Sequence, residues 1–187
     1  MMTDRMPPLD AATMTEEQRK AAQSLAAGPR GGVKGPFIAL LRSPDLMDRL
    51  QKVGECLRFR SSLQPRIGEF VMLIVSREWT QQFEWCVHGP LALEAGLKPE
   101  TLQSLADGRR PVAMAADEEI AYDCCEELFR TRGLSEASYR RAVEGFGERG
   151  LVDLLGLVGY FTTVSMVLNV AHTPAEGGAP PLLPFPL

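Results

Sequence analysis

The chain has 187 residues, enough for one domain with a continuous buried core. Hydrophobic residues make up 45% and charged residues 24%, which excludes the low-hydrophobicity composition of a disordered chain. The net charge is −4, and Arg109-Arg110 and Arg140-Arg141 are isolated basic pairs rather than a stripe, so no nucleic-acid partner is expected.

Taken in order, the pattern is helical nearly throughout. The first thirty residues hold acidic side chains and no apolar run, so no secretory signal is expected there. Thr15-Glu16-Glu17-Gln18 has the spacing of a capping box and predicts a helix ending before Gly28. Gly28 to Pro36, rich in glycine and basic residues, reads as a loop. Ser43 and Pro44 suit an N-cap and a first helical position, opening a helix with an apolar stripe at Leu46, Leu50, Val53 and Leu57. Pro65 opens a third helix to about Trp79, apolar on most sides through Leu73, Ile74 and Val75 and therefore expected to be buried. Thr80 is the expected break and N-cap of a helix that closes at Gly96.

Pro99 to Ala106 predicts a short helix, and Asp107 to Pro111 the loop after it. Further helices are expected over Asp117 to Arg132, ended by Gly133, and from Ser135 to Gly147 or Gly150. The last runs from Leu151 to Ala171. That segment is long enough for a membrane span, but its Gly, Thr, Ser and Asn residues point to a central helix buried in protein, with a subunit interface as one use; no membrane partner is expected. No stretch alternates apolar and polar residues between hairpin turns, so the expectation is an all-α bundle. It divides into an N-terminal helical segment and loop (1–34), a single helical domain (35–172) and a Pro-rich tail (173–187).

The four cysteines, Cys56, Cys86, Cys124 and Cys125, have no metal-ligand spacing, and adjacent Cys124 and Cys125 on a helix make a poor disulfide. Reduced thiols and a cytoplasmic location are the expectation. No metal or cofactor is expected: two histidines with arbitrary spacing make an incomplete ligand set, and no glycine-rich strand–helix turn suggests a nucleotide.

The chemistry concentrates between residues 66 and 88. Glu84 and His88 are four apart and so share a helix face, while Cys86 points to roughly the opposite side. That geometry favours acid–base chemistry by a carboxylate and an imidazole over a Cys–His nucleophile within one helix. Glu69 lies inside a strongly apolar helix and needs a partner, either His88 or Arg66 three residues before it. Trp79, Trp85 and Tyr160 suit either the walls of a pocket for a planar substrate or core packing. Arg66 and Arg77 are candidates for binding a substrate carboxylate, with a local pair to Glu69 and charge–dipole capping of a helix end as their plainer alternatives.

The run Gln64-Pro65-Arg66-Ile67-Gly68-Glu69, the apolar helix to Arg77-Glu78-Trp79, then Glu84-Trp85-x-x-His88 and Ala95-Gly96-Leu97 resembles the carboxymuconolactone decarboxylase family. Gly108-Arg109-Arg110-Pro111, Asp117-Glu118-Glu119, Gly159-Tyr160 and Met166-Val167-Leu168-Asn169 extend the resemblance over about residues 35 to 172. It implies the helical fold of alkylhydroperoxidase D (AhpD) and an assembly into trimers or rings. In the peroxidase branch of that fold a Cys-x-x-Cys pair precedes the histidine by four residues. Here those positions are Gln81 and Glu84, while the branch's upstream glutamate is kept as Glu69. The resemblance therefore implies retained proton handling by Glu69 and His88 without the redox pair. The expected activity is acid–base decarboxylation, or a related isomerisation, of a small carboxylated lactone or unsaturated acid. The rival is a thiol-dependent peroxidase using Cys86 with an external thiol.

Overall fold

A computed structural model describes residues 3–175 and 180–183. The parts of the Pro-rich tail at 176–179 and 184–187 lie outside the described residues. Eight helices occur among the described residues: α1 (Glu16–Ala27), α2 (Pro36–Leu40), α3 (Pro44–Phe59), α4 (Pro65–Glu78), α5 (Gln82–Glu94), α6 (Pro99–Ala106), α7 (Ala116–Thr131) and α8 (Glu136–Ala171). No strand is present among them.

Local chemistry explains most boundaries. Thr15 closes the reciprocal capping box with Gln18 at the start of α1. Proline stands at the first helical position of α2, α3, α4 and α6, where its missing N–H leaves no intrahelical bond unmade. Gly96 takes a φ of +100° just past α5, a conformation glycine adopts without a Cβ clash.

The expected boundaries differ from the observed ones at four places. Residues 36–40 form the short helix α2 directly after the glycine-rich loop, too short to show a period. The cap of α5 is Gln81, whose Oε1 accepts from the N–H groups of Phe83 (2.6 Å) and Glu84 (3.4 Å); Thr80 instead takes a φ of +46° in the turn. Ser43 is the N-cap of α3 as expected, with Pro44 the first helical residue, although its side chain makes no capping bond. Arg132, not Gly133, adopts the left-handed conformation that ends α7. The two helices expected between Ser135 and Ala171 join into α8, bent where Gly147 departs from helical geometry (φ +70°, ψ +169°).

The centre of the fold is α4. From Phe70 to Arg77 every residue is buried, because α5, α7 and α8 surround it. Leu151, Leu154, Leu157, Phe161, Val164 and Leu168 of α8 belong to the same core, packed with Ile67, Leu73 and Val75. By length and composition alone α8 could cross a membrane; here its apolar stripe packs on α2, α3, α4 and α7. A smaller cluster of Leu25, Phe37, Leu40, Leu41 and Met47 attaches the N-terminal segment, setting the loop 28–35 over the junction of α3, α5 and α8.

Candidate functional site

The α4–α5 pairing brings Glu69 to His88. Nδ1 of His88 lies 2.6 Å from Glu69 Oε2, and Nε2 lies 3.2 Å from Glu84 Oε2, one turn earlier on α5. The imidazole is only 1% exposed and meets the Phe161 ring edge-on, with centroids 5.1 Å apart. Burial disfavours a charged imidazole, but the hydrogen bonds and negative charges of Glu69 and Glu84 outweigh it and raise the His88 pKa above its ordinary value. With a carboxylate at each ring nitrogen, the arrangement favours the protonated ring and fixes its orientation.

Glu84 and His88 form part of the wall of a cavity of about 900 Å³. Phe83 and Val87 of α5, and Tyr160, Phe161 and Val164 of α8, continue that wall. The loop 28–35, Phe37 and the end of α3 close it. Tyr160 is buried, and that burial raises its phenol pKa, opposed by the adjacent charge of Arg30. The site thus joins a histidine held between two carboxylates to an aromatic chamber.

The other expected site residues do not gather there. Arg66 bridges to Asp117 (2.6 Å) and to Glu118 of α7, so neither Glu69 nor the His88 cavity receives its guanidinium. Glu118 also accepts from the N–H of Ala115, making this pair a clamp between the starts of α4 and α7. Arg77 is buried and donates from Nε to the carbonyl of Ala106 at the end of α6 (3.0 Å). With Trp85 it lines a second cavity of about 790 Å³ between α5, α6 and residues 180–183, away from His88. Trp79 is half-buried at the end of α4, where its carbonyl accepts from Asn169 Nδ2 (2.9 Å). Only Tyr160 of the five expected substrate-binding residues faces the chamber.

Gln81 and Cys86 hold structural contacts. The Gln81 amide donates to Asn169 Oδ1 (2.8 Å) while its oxygen caps α5, so it ties α5 to α8. Cys86 is half-buried, with Gln82 Nε2 3.4 Å from Sγ. Burial pushes the Cys124 thiol up to about 11 and the Cys125 thiol well above its ordinary value, which leaves both poor nucleophiles near neutrality. Among the described residues no group of three or more His, Cys, Asp or Glu is placed to hold a metal ion.

Sequence reasoning missed Arg30, Arg58 and Phe37 as wall residues of the cavity. The basic character of 28–36 was visible, but nothing periodic in a glycine-rich loop tells which way it folds.

The arrangement of helices is the AhpD-like fold. Two of the solved structures that share it are as follows. One is the alkylhydroperoxidase AhpD core of an uncharacterized peroxidase-related protein from Ralstonia eutropha JMP134: TM-score 0.75, 16% identity, 92% of each chain covered. The other is an uncharacterized peroxidase-related protein from Silicibacter sp. TM1040: TM-score 0.71, 15% identity, 91% of this chain and 90% of that one covered. No family model and no curated protein matches the sequence.

Proposed function

We propose that this protein is an acid–base enzyme of the carboxymuconolactone decarboxylase type, acting on a small carboxylated lactone or unsaturated acid. The observation that carries the reading is the engagement of both His88 ring nitrogens by carboxylates at the wall of an aromatic cavity. The resemblance of the Glu69, Glu84 and His88 region to that family supports it.

Decarboxylation of such a substrate sends the electrons of the C–CO2 bond through a conjugated double bond into the lactone carbonyl. CO2 leaves, and the resulting dienolate takes one proton on carbon. Protonated His88, with Glu84 beside it on the cavity wall, holds a proton for that step. Glu69 at Nδ1 keeps the ring charged and oriented, and the imidazolium charge stabilises the developing oxyanion. Isomerisation, with the carboxylate retained, takes a proton from one carbon onto Glu84 as base and returns one to another carbon from His88.

The test is turnover of a panel of carboxylated lactones and unsaturated acids in deuterated water. Wild-type protein incorporates solvent deuterium into product, and His88→Gln lowers the rate by about 10²–10⁴, the usual contribution of a positioned acid. Full turnover in that variant would remove the imidazole from the mechanism.

A thiol peroxidase reading is favoured only by the descriptions of the two structural neighbours as peroxidase-related. Such a cycle oxidises Cys86 to a sulfenic acid, which two equivalents of an external thiol reduce. Peroxide consumption lost in Cys86→Ser would support it. We also propose a homo-oligomer: Val152, Leu155, Met166 and Val170 leave an exposed apolar row along α8.

A further inference from the structure

Two guanidinium groups that the proton chemistry does not use converge on the His88 cavity. Arg30 reaches it from the loop between α1 and α2, and Arg58 from the last turn of α3. Each lies over an aromatic ring: Arg30 is 4.5 Å from the Phe37 centroid and Arg58 5.3 Å from that of Phe59. Stacking of this kind fixes the plane of a guanidinium while leaving its edge donors free.

Two of those donors are buried and unmatched. Nε of Arg30 and Nε of Arg58 have no hydrogen-bond partner and are closed off from solvent, while the Arg30 guanidinium stands beside the Tyr160 hydroxyl, a neutral partner that leaves its charge unbalanced. Neither arginine forms an ion pair among the described residues. Glu84 and Glu55 influence Arg30 by charge alone, and Glu55 itself pairs with Arg60 at 3.6 Å. Arg58 meanwhile repels Arg30, so two like charges are held near one another on one wall. Buried donors of a charged group are costly when left unmade, and two adjacent cations compound that cost. An anion in the cavity, met by the remaining guanidinium nitrogens of Arg30 and Arg58 on its wall, balances both charges.

We infer that Arg30 and Arg58 form a carboxylate-binding subsite that anchors the substrate of the proton-transfer site. This rests on the reading of Glu84 and His88 given above. The aromatic side chains Phe37, Phe83, Tyr160 and Phe161 make the rest of the chamber suited to a planar, unsaturated carboxylate. The anchored carboxylate is one that the reaction retains. A cationic clamp on the departing carboxylate would stabilise the ground state more than the transition state and slow its loss.

The experiment is calorimetric titration of the full-length protein with cinnamate and maleate, and with cinnamamide as the uncharged counterpart of cinnamate. Wild-type protein binds the carboxylates, and cinnamamide binds at least about tenfold more weakly than cinnamate, the loss expected when hydrogen bonds to a charged group go unmade. Arg30→Gln and Arg58→Gln each weaken carboxylate binding by a similar factor, while Arg30→Lys restores part of it. Arg58→Gln and Arg30→Lys keep the test decisive if Arg30→Gln fails to fold. Equal affinity of wild type and the Arg58→Gln variant, equal affinity for cinnamate and cinnamamide, or no carboxylate binding by wild type would overturn the subsite. His88→Gln separates the two readings: full turnover in that variant, with carboxylate binding still dependent on Arg30, sinks the proton role and leaves the subsite standing.

Discussion

His88 is where residue-level physics is most exposed to test. Its pKa is raised in the folded protein, so the folded state binds the proton more tightly than the unfolded chain does. The stability this supplies is fully present below about pH 6.5, the unfolded value, and is lost as pH rises through the folded pKa. Urea denaturation across pH 6 to 9 therefore shows falling stability, and His88→Gln flattens that dependence. The same variant leaves Glu69 and Glu84 facing each other without a cation, and is expected to lose roughly 3–5 kcal/mol at pH 6. The proposed catalysis has the same sign: with His88 as proton donor, the rate is expected to fall on the alkaline side as the imidazolium is lost. The Glu84–His88 pair was legible in the sequence because helix spacing alone puts one above the other; the need of Glu69 for a partner was legible too, but the choice of His88 over Arg66 comes from the packing of α4 on α5. The partner of Arg66 was not legible. Asp117 and Glu118 lie some fifty residues further along the chain, and the pairing exists only because α7 packs on α4.

Among the elements, two glycines hold the N-terminal segment against the cavity. A Cβ on Gly54 would stand 2.4 Å from the Tyr160 hydroxyl and 2.7 Å from Arg30 Nη2. Gly54→Ala is expected to cost about 1–3 kcal/mol through overpacking, and to reduce carboxylate affinity by displacing both side chains. Gly35 combines a φ of +55° with a Cβ position 2.7 Å from the Phe83 ring. Gly35→Ala therefore strains the turn into α2 and lowers the melting temperature; an unchanged melt would show that the loop is not locked there. Caps and prolines made most helices readable in advance. The start of α5 was misread because Thr80 looks like a cap by residue type, whereas Gln81 takes the role by reaching both Phe83 and Asn169. Asn169 is on α8, so only tertiary structure reveals that choice.

At the scale of the whole molecule, the tail and the α8 face decide what the surroundings meet. Leu182 donates its N–H to Gln82 Oε1 (2.7 Å), and Gln82 Nε2 donates to the carbonyl of Pro180 (3.2 Å). The same amide reaches Cys86, so Gln82→Ala is expected to release residues 180–183 and speed the reaction of Cys86 with a thiol reagent. An unchanged labelling rate would mean that the tail does not shield Cys86. The exposed row on α8 predicts a sedimentation mass above 20.5 kDa, reduced by Val152→Glu with Val170→Glu. No periodicity could show that a glycine-rich loop from outside the resembling region closes the cavity, because that loop is held by side chains from α2, α3 and α5. The measurement that bears most directly on the central claim is a pH titration of the His88 ring nitrogens by NMR, in wild type and Glu84→Gln. A ring that stays doubly protonated above the ordinary histidine range, and titrates lower once Glu84 is neutralised, is the predicted result. A neutral ring at pH 6, indifferent to residue 84, would contradict the proton-holding role on which the function rests.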